Sequence, residues 1–443
     1  MSSTIRLLNH ASVKISIENI NILTDPWFSG SVFHKGWKLI YEQSEDLIKE
    51  YIKDLDYIYI SHEHPDHFSP NFFLNKEYQS ILLKKKVKIL FQETKDKRVL
   101  SFLQKKGYEV IEIPDDKFFS LNPKLKIKII KFGYIDSAII IEGSKEKILN
   151  LNDCPLNEIN EIKNFRKKHG HFDLLLTQFS YAAWKGGKDS SNYRKEASKD
   201  KIKTLINQYK ILGCKSVIPF ASFIYFSNHL NNYMNDEINK PHIFQNLLPE
   251  NINSIVLKPG EVQSIEKLNQ DNNSLNFWKE NYDFIKSKEL EKFNDTVSFN
   301  ILKDQFTNYK KKIFNLNSRF LIFASSKIKF LKFFQPVNIY LIDHNKNYLF
   351  SFFDNLREIR NTNSDISMHS ESLSFIFKND FGYDTLTVNG CFSASKEGFI
   401  KSTRTFAIGS LNSMGLRLNL LLLLNIKLVI FFLKLLRKVA KKL

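Results

Sequence analysis

The chain has 443 residues, enough for about two to three domains and a large apolar core, with 39 Phe and 17 Tyr to fill it. Its net charge of +18 invites a nucleic-acid reading. The basic residues are widely spread and no nucleic-acid motif occurs, so nucleic acid is set aside in favour of an anionic substrate or a membrane surface.

The opening Met-Ser-Ser-Thr-Ile-Arg runs directly into a strand pattern with no signal-peptide pattern ahead of it. Three widely spaced cysteines, Cys154, Cys214 and Cys391, offer no disulfide framework and no Cys-x-x-Cys pair, which fits a reducing cytoplasm. Val13–Ile22 alternates in part, and Leu23-Thr24-Asp25-Pro26-Trp27 closes a strand, because Pro26 cannot continue a central ladder. The apolar run Tyr57-Ile58-Tyr59-Ile60 is then followed by His62-Glu63-His64-Pro65-Asp66-His67. Imidazoles and carboxylates are ligands that zinc, iron and manganese accept. In a turn at a strand end, His62 and His64 are placed for one ion, and Asp66 and His67 for a second close by.

Downstream, strand and helix signals alternate. Lys86–Phe91, Tyr108–Ile113, Ile127–Phe132, Ala138–Ile141, Ile148–Leu151, Phe172–Thr177 and Ser216–Pro219 read as strands, with helices over Lys97–Lys106 and Lys201–Leu212. Asp153 follows one strand end and is the best further carboxylate ligand, and His229 is the best distant histidine. His169 and His171 precede a strand and read as surface residues. Trp184 and Lys185, after Phe172–Thr177, suit a sugar face and a phosphate, with loop packing as the alternative. The Asn-rich stretch 269–273 marks a boundary. Beyond it Leu290–Phe314 reads as helix, and Val337–Asp343, Tyr348–Phe352, Leu373–Phe377 and Leu386–Val388 as strands of a second α+β domain.

The last segment is acid-free. Residues 416–443 carry Arg417, Lys427, Lys434, Arg437, Lys438, Lys441 and Lys442. Lysines interrupt the apolar run from Leu418 to Leu436, which argues against a membrane span. On a helix, Lys427, Lys434, Lys438 and Lys441 share one side, a pattern of either an interfacial helix or one packed on protein. Peripheral membrane attachment through 416–443 is therefore one expectation.

These residues resemble the metallo-β-lactamase superfamily, in the branch that includes the ascorbate-phosphate lactonase and N-acylphosphatidylethanolamine phospholipase D. Asn9-His10-Ala11-Ser12 with Leu23–Trp27 resembles that branch's opening hairpin, and Asp25 matches the superfamily's structural Asp behind the metal loop. His10 lies near the site in such folds but is not usually a ligand. A narrower resemblance, to the CMP-N-acetylneuraminate hydroxylase family, rests on His62–His67, Asp136-Ser137-Ala138, Asn152-Asp153-Cys154, Pro219-Phe220-Ala221 and Asp384-Thr385-Leu386. No Rieske Cys-x-His pairs occur in this chain, so hydroxylation implies a separate electron-transfer partner. The superfamily also places a His before Ala138–Ile141, where this chain has Tyr134 and Asp136. The second domain weakly resembles the sterol-carrier fold.

The expected architecture is α/β: a metallo-β-lactamase αββα sandwich over 1–265, an α+β domain over 275–415, and a basic amphipathic helix over 416–443. The leading expectation is a metal-dependent hydrolase holding one or two ions, zinc foremost with iron or manganese as alternatives, on His62, His64, Asp66, His67, Asp153 and His229. Asp66 also orients the attacking water. The bond cut is a phosphoester, ester or amide in an anionic, nucleotide-sugar-like or phospholipid substrate. An oxidoreductase with a Rieske partner and a non-catalytic metal- or lipid-binding module are the alternatives.

Overall fold

The computed structural model describes residues 3–328, 333–360 and 363–419. The chain divides into two units, Met1–Glu291 and Lys292–Leu443. In the first, a seven-stranded sheet runs in the order Val262–Ser264, Thr4–Asn9, Ser12–Ile17, Ile20–Thr24, Tyr57–Ile60, Lys88–Gln92, Glu109–Ile113. A six-stranded sheet runs Ser216–Phe220, Leu174–Gln178, Lys147–Asn152, Asp136–Glu142, Leu125–Phe132, Phe118–Asn122. The strands expected in this unit are all present, their ends shifted by up to two residues, and the helix read over Lys201–Leu212 begins ten residues earlier, at Ser191.

Each sheet contains a parallel half. Ile20–Thr24, Tyr57–Ile60, Lys88–Gln92 and Glu109–Ile113 run parallel, as do Lys147–Asn152, Leu174–Gln178 and Ser216–Phe220. Strands buried on both faces need apolar runs instead of alternation, which Tyr57-Ile58-Tyr59-Ile60 supplies. Helices Glu45–Ile52, Lys76–Lys85 and Arg98–Lys105 cover one face of the first sheet through Ile48, Ile52, Leu82, Val99 and Leu103, which pack against Leu23, Ile58, Ile60 and Ile89. Ser44 starts the first of these helices by accepting from the Leu47 amide, with Glu45 and Asp46 in its first turn. Between the sheets, the Tyr59 hydroxyl donates 3.0 Å to the Ser137 carbonyl, and Ser137 Oγ donates 2.6 Å to the Ser61 carbonyl. These buried bonds tie the two sheets just behind the strand ends.

The first unit extends further than the Asn-rich boundary suggests. Asp271 caps the helix Asn272–Asp283. Trp278 on that helix stacks on Phe223 with ring centroids 4.0 Å apart, and its indole N–H donates 2.8 Å to Leu257 O. Residues 275–291, read from sequence as the start of the second domain, therefore belong to the first. Trp278→Ala should cost about 3–5 kcal/mol of stability through the cavity it leaves, measured by denaturant unfolding. A loss below about 1 kcal/mol would show the helix to be peripheral.

The second unit holds a five-stranded sheet in the order Arg357–Ile359, Lys346–Phe350, Val337–Leu341, Ile366–Met368, Phe392–Ala394. Helices Phe299–Leu316, Arg319–Lys327, Ser370–Lys378, Gly382–Asn389 and Lys396–Ser413 accompany it. The helix read over Leu290–Phe314 starts nine residues later, at Phe299, and two strand readings are also corrected. Leu373–Phe377 and Leu386–Val388 are helical, not strands. A five-residue apolar run does not distinguish a strand from a buried helix. Here Leu373, Ile376 and Phe377 bury one helical face, and Gly390, at φ +68°, ends the second helix in the left-handed region. Of the predicted amphipathic segment 416–443, residues 420–443 lie outside the described residues. Among the described residues, no helix is long and apolar enough to cross a membrane.

Candidate metal centre

The histidine loop is held from behind by Asp25. This carboxylate is fully buried and accepts from the Ser61 amide at 2.7 Å and from Ser61 Oγ at 2.8 Å. It also lies 3.0 Å from His67 Nδ1, and Ser61 Oγ lies 2.9 Å from His62 Nδ1. These contacts hold both rings through Nδ1 and turn each Nε2 to the centre, the arrangement by which outer hydrogen bonds orient metal ligands. The His67 and Phe68 amides both bond to His64 O, which closes the turn. Glu63 points elsewhere, to Arg98 at 2.7 Å.

Two groups of donors result. His62, His64 and Asp153 form one, and His10, Asp66 and His67 the other. Within each, one ligand atom per residue lies within 4.8 Å of the others. Asp153 Oδ2 is 3.8 Å from His62 Nε2 and 3.7 Å from His67 Nε2, so a single carboxylate oxygen faces both groups. His10 Nε2 sits 3.3 Å from Asp66 Oδ2. Asp136 Oδ1 is 3.9 Å from His62 Nε2. Of the two residues before Ala138, it is therefore Asp136 that approaches the histidines, while Tyr134 is 42% exposed.

Protonation follows from burial and these neighbours. Desolvation pulls His62 well below its ordinary pKa and lowers His10 too, which favours neutral rings with a lone pair to give. At His67 desolvation pulls the same way, but Asp66, Asp153 and Asp25 outweigh it and raise the pKa to about 10. Burial opposes ionisation of Asp66, yet His67 and His10 hold it well below the carboxylate range. Burial, then Asp153, push Asp136 up to about 7. The carboxylates converge on one imidazole and demand positive charge there.

The donor set fits a divalent first-row ion in each group: imidazole nitrogen and carboxylate oxygen, with no thiolate. Burial holds the Cys154 thiol well above its usual pKa, unlike a ligating sulfur. The buried atoms His10 Nδ1, Asp66 Oδ1, His67 Nε2 and Asp153 Oδ1 have no hydrogen-bond partner. Unpaired buried polar atoms are costly, and four in one cluster call for a ligand. The backbone is also strained around this edge, with positive φ at His10 (+23°), Asp25 (+37°), Asn152 (+43°) and Ala221 (+50°). Such strain gathers at functional sites. The Ala221 amide donates 2.7 Å to His10 O, which fixes the His10 turn to the second sheet.

Of the residues singled out from sequence, His62, His64, Asp66, His67 and Asp153 come together. His229 does not. It is exposed, it is in neither group, and its amide bonds to Glu291 O at 3.1 Å. Its neighbour Asn228 is buried and donates to Lys35 O. The strand Ile224–Phe226 pairs with Trp37–Leu39 and ends in a turn set by Asn228 and Asn231, and that turn leaves His229 outward. His229→Ala should leave metal content unchanged by elemental analysis, and a loss of metal would make His229 a ligand. His10 is the ligand candidate that sequence reasoning passed over. Its signals in the sequence are its place at a strand end, after Asn9, and the opening-hairpin resemblance, which puts it near the site but not among the usual ligands. Trp184 and Lys185 lie in the loop after Leu174–Gln178, where Trp184 Nε1 donates to the Tyr233 hydroxyl and Lys185 Nζ to Ala182 O. His169, read as a surface residue, is buried at its helix end against Phe165.

Residues 4–116 match the family model of a β-lactamase superfamily domain. The cytidine monophosphate-N-acetylneuraminic acid hydroxylase of Danio rerio is 26% identical over 252 residues, 53% of this chain and 40% of that one. Its Xenopus laevis counterpart is 27% identical over 284 residues, 59% of this chain and 46% of that one. The chain thus spans less than half the length of either relative. Among solved structures, a metallo hydrolase of Ignicoccus hospitalis is 15% identical with a TM-score of 0.40, covering 59% of this chain and 98% of that one.

Proposed function

We propose that this chain, whose residues 4–116 match a β-lactamase superfamily domain, is a two-metal hydrolase of the metallo-β-lactamase kind, acting on an ester, phosphoester or amide in an anionic substrate. The observation that carries this reading is the placement of Asp153 Oδ2 within 3.8 Å of imidazoles from both donor groups. His62, His64 and Asp153 would hold one ion, and His10, Asp66 and His67 the other. When bound, such ions supply Lewis-acid polarisation of the reacting oxygen and acidify water. The chain's own part is orientation. Ser61 and Asp25 fix the rings of His62 and His67, and Asp66, anchored on His10, faces the centre with its free Oδ1. The net charge of +18 favours an anionic substrate. The relatives are named for cytidine monophosphate-N-acetylneuraminic acid, a nucleotide-linked acidic sugar.

A second reading has its own support. Each group is two histidines and one carboxylate, the donor set of non-haem iron oxygenases, and the curated relatives are named hydroxylases. It requires a separate electron-transfer partner. Elemental analysis of the purified protein, with hydrolysis of bis(p-nitrophenyl) phosphate and oxygen uptake measured side by side, separates the two. Zinc or manganese with oxygen-independent hydrolysis is the expected result, with the hydrolysis and the ion of the His62–His64–Asp153 group lost in His64→Ala. Iron with reductant-dependent oxygen uptake establishes the second reading instead. Sub-stoichiometric metal in the parent protein overturns both and leaves a non-catalytic binding module.

A further inference from the structure

We propose that the helix Arg319–Lys327 of the second unit is a docking face for an anionic lipid bilayer, independently of the metal centre. The face is apolar and open. Phe320 is 73% exposed, Phe323 44% and Ile328 39%, while Ile322 on the opposite side is fully buried. Phe320, Phe323 and Lys327, at i, i+3 and i+7, share one side of the helix, and Arg319 and Lys327 are exposed with them. Two large aromatics displayed on a short basic helix form a patch that marks an interaction surface.

Charge selects the occupant. From Lys310 to Ile328 there are five Lys or Arg residues and no acid, and from Lys401 to Asn419 three and no acid; of these, Lys312 pairs with Asp380 and Lys401 with Asp365. The structure brings these two stretches together. Asn317 Nδ2 donates 2.7 Å to Asn412 Oδ1, Ser318 N donates 2.7 Å to Leu418 O, and Leu418 N donates 2.8 Å to Asn317 Oδ1. The chain therefore leaves residue 419 beside the N-terminus of the exposed helix. Its last 24 residues, 420–443, then add six more Lys or Arg, again with no acid. Because both segments are basic, one does not neutralise the other, and a single partner must be apolar and negative together. A bilayer interface bearing anionic headgroups meets both conditions: aromatic side chains enter the headgroup boundary and each nearby Lys or Arg adds attraction.

The test is co-sedimentation of the full chain with phosphatidylcholine vesicles, with and without phosphatidylglycerol. The expected result is binding to the mixed vesicles, weakened by salt and absent from pure phosphatidylcholine. Phe320→Ser with Phe323→Ser should reduce the partition coefficient at least about tenfold, as expected for removing two apolar anchors. Arg319→Glu with Lys327→Glu should reduce it and flatten the salt dependence. Phe284→Ser, at an exposed aromatic of the first unit (66% exposed), is the control and should bind like the parent. Equal binding by the double-serine variant overturns the proposal and assigns attachment to residues beyond 419 alone. A parent dimer in ultracentrifugation that the same variant dissociates also overturns it, with a second copy as the occupant. So does tight binding of duplex DNA combined with none to vesicles.

Discussion

Asp153→Ala is expected to empty both donor groups at once. Its Oδ2 is the oxygen that faces His62 and His67 together, so its loss removes a ligand from each side. Bound metal should fall below one ion per chain, and any hydrolytic activity should fall by more than about 100-fold, beyond the usual effect of an outer-shell change. Misfolding is not expected to intervene. The Asp153 side chain is 24% exposed at the mouth of the centre and its Oδ1 has no hydrogen-bond partner, so the metal-free parent and variant should melt alike. His64→Ala, by contrast, touches one group and should retain about one ion. Metal counted by mass spectrometry in parent, His64→Ala and Asp153→Ala decides the matter. Equal loss in both variants would refute a carboxylate shared between two sites.

Asp25→Ala should fail differently, through the scaffold. Asp25 is fully buried and takes two hydrogen bonds from Ser61 and a third contact from His67. Burial raises its own pKa, and His67 and Ser61 only partly offset this, so the carboxylate is retained against a desolvation cost. Removing it strands three buried donors. The expected cost is about 3–5 kcal/mol, which lowers the melting temperature by on the order of 10 °C. It should also weaken metal binding about 10–100-fold, because His67 and, through Ser61, His62 lose their fixed orientation. Thermal melts paired with a chelator competition titration test both parts. A variant that melts lower yet binds metal as tightly as the parent would make Asp25 a structural residue only.

The residues that were legible in the sequence are those whose neighbours lie close along the chain. Tyr57–Ile60 followed by His62, His64, Asp66 and His67 declares a buried strand and its loaded end, since the strand period and the loop spacing are local properties. Asp153 was legible for the same reason, as the first acid after an apolar run. His10 was placed near the site by resemblance but was not legible as a ligand, because nothing in its neighbourhood along the chain tells of Asp66, 56 residues from His10 and 3.3 Å from its Nε2. His229 shows the converse. It follows an apolar run as Asp153 does, but the asparagine-built turn after Phe226 faces it outward. The helices at Leu373 and Leu386 went unread because runs of three to five apolar residues carry no period long enough to choose between strand and helix.

The sequence by itself determined the α/β alternation, the strand ends that bear ligands, and the chemistry of those ligands, for these follow from residue type and spacing. Tertiary structure alone decided which ends meet. The parallel halves of two sheets present their C-terminal ends at one edge, and the Tyr59–Ser137–Ser61 bonds lock the sheets there. That registration, set by packing between residues far apart in the chain, puts Asp153 between two pairs of histidines, brings in His10 and leaves His229 outside.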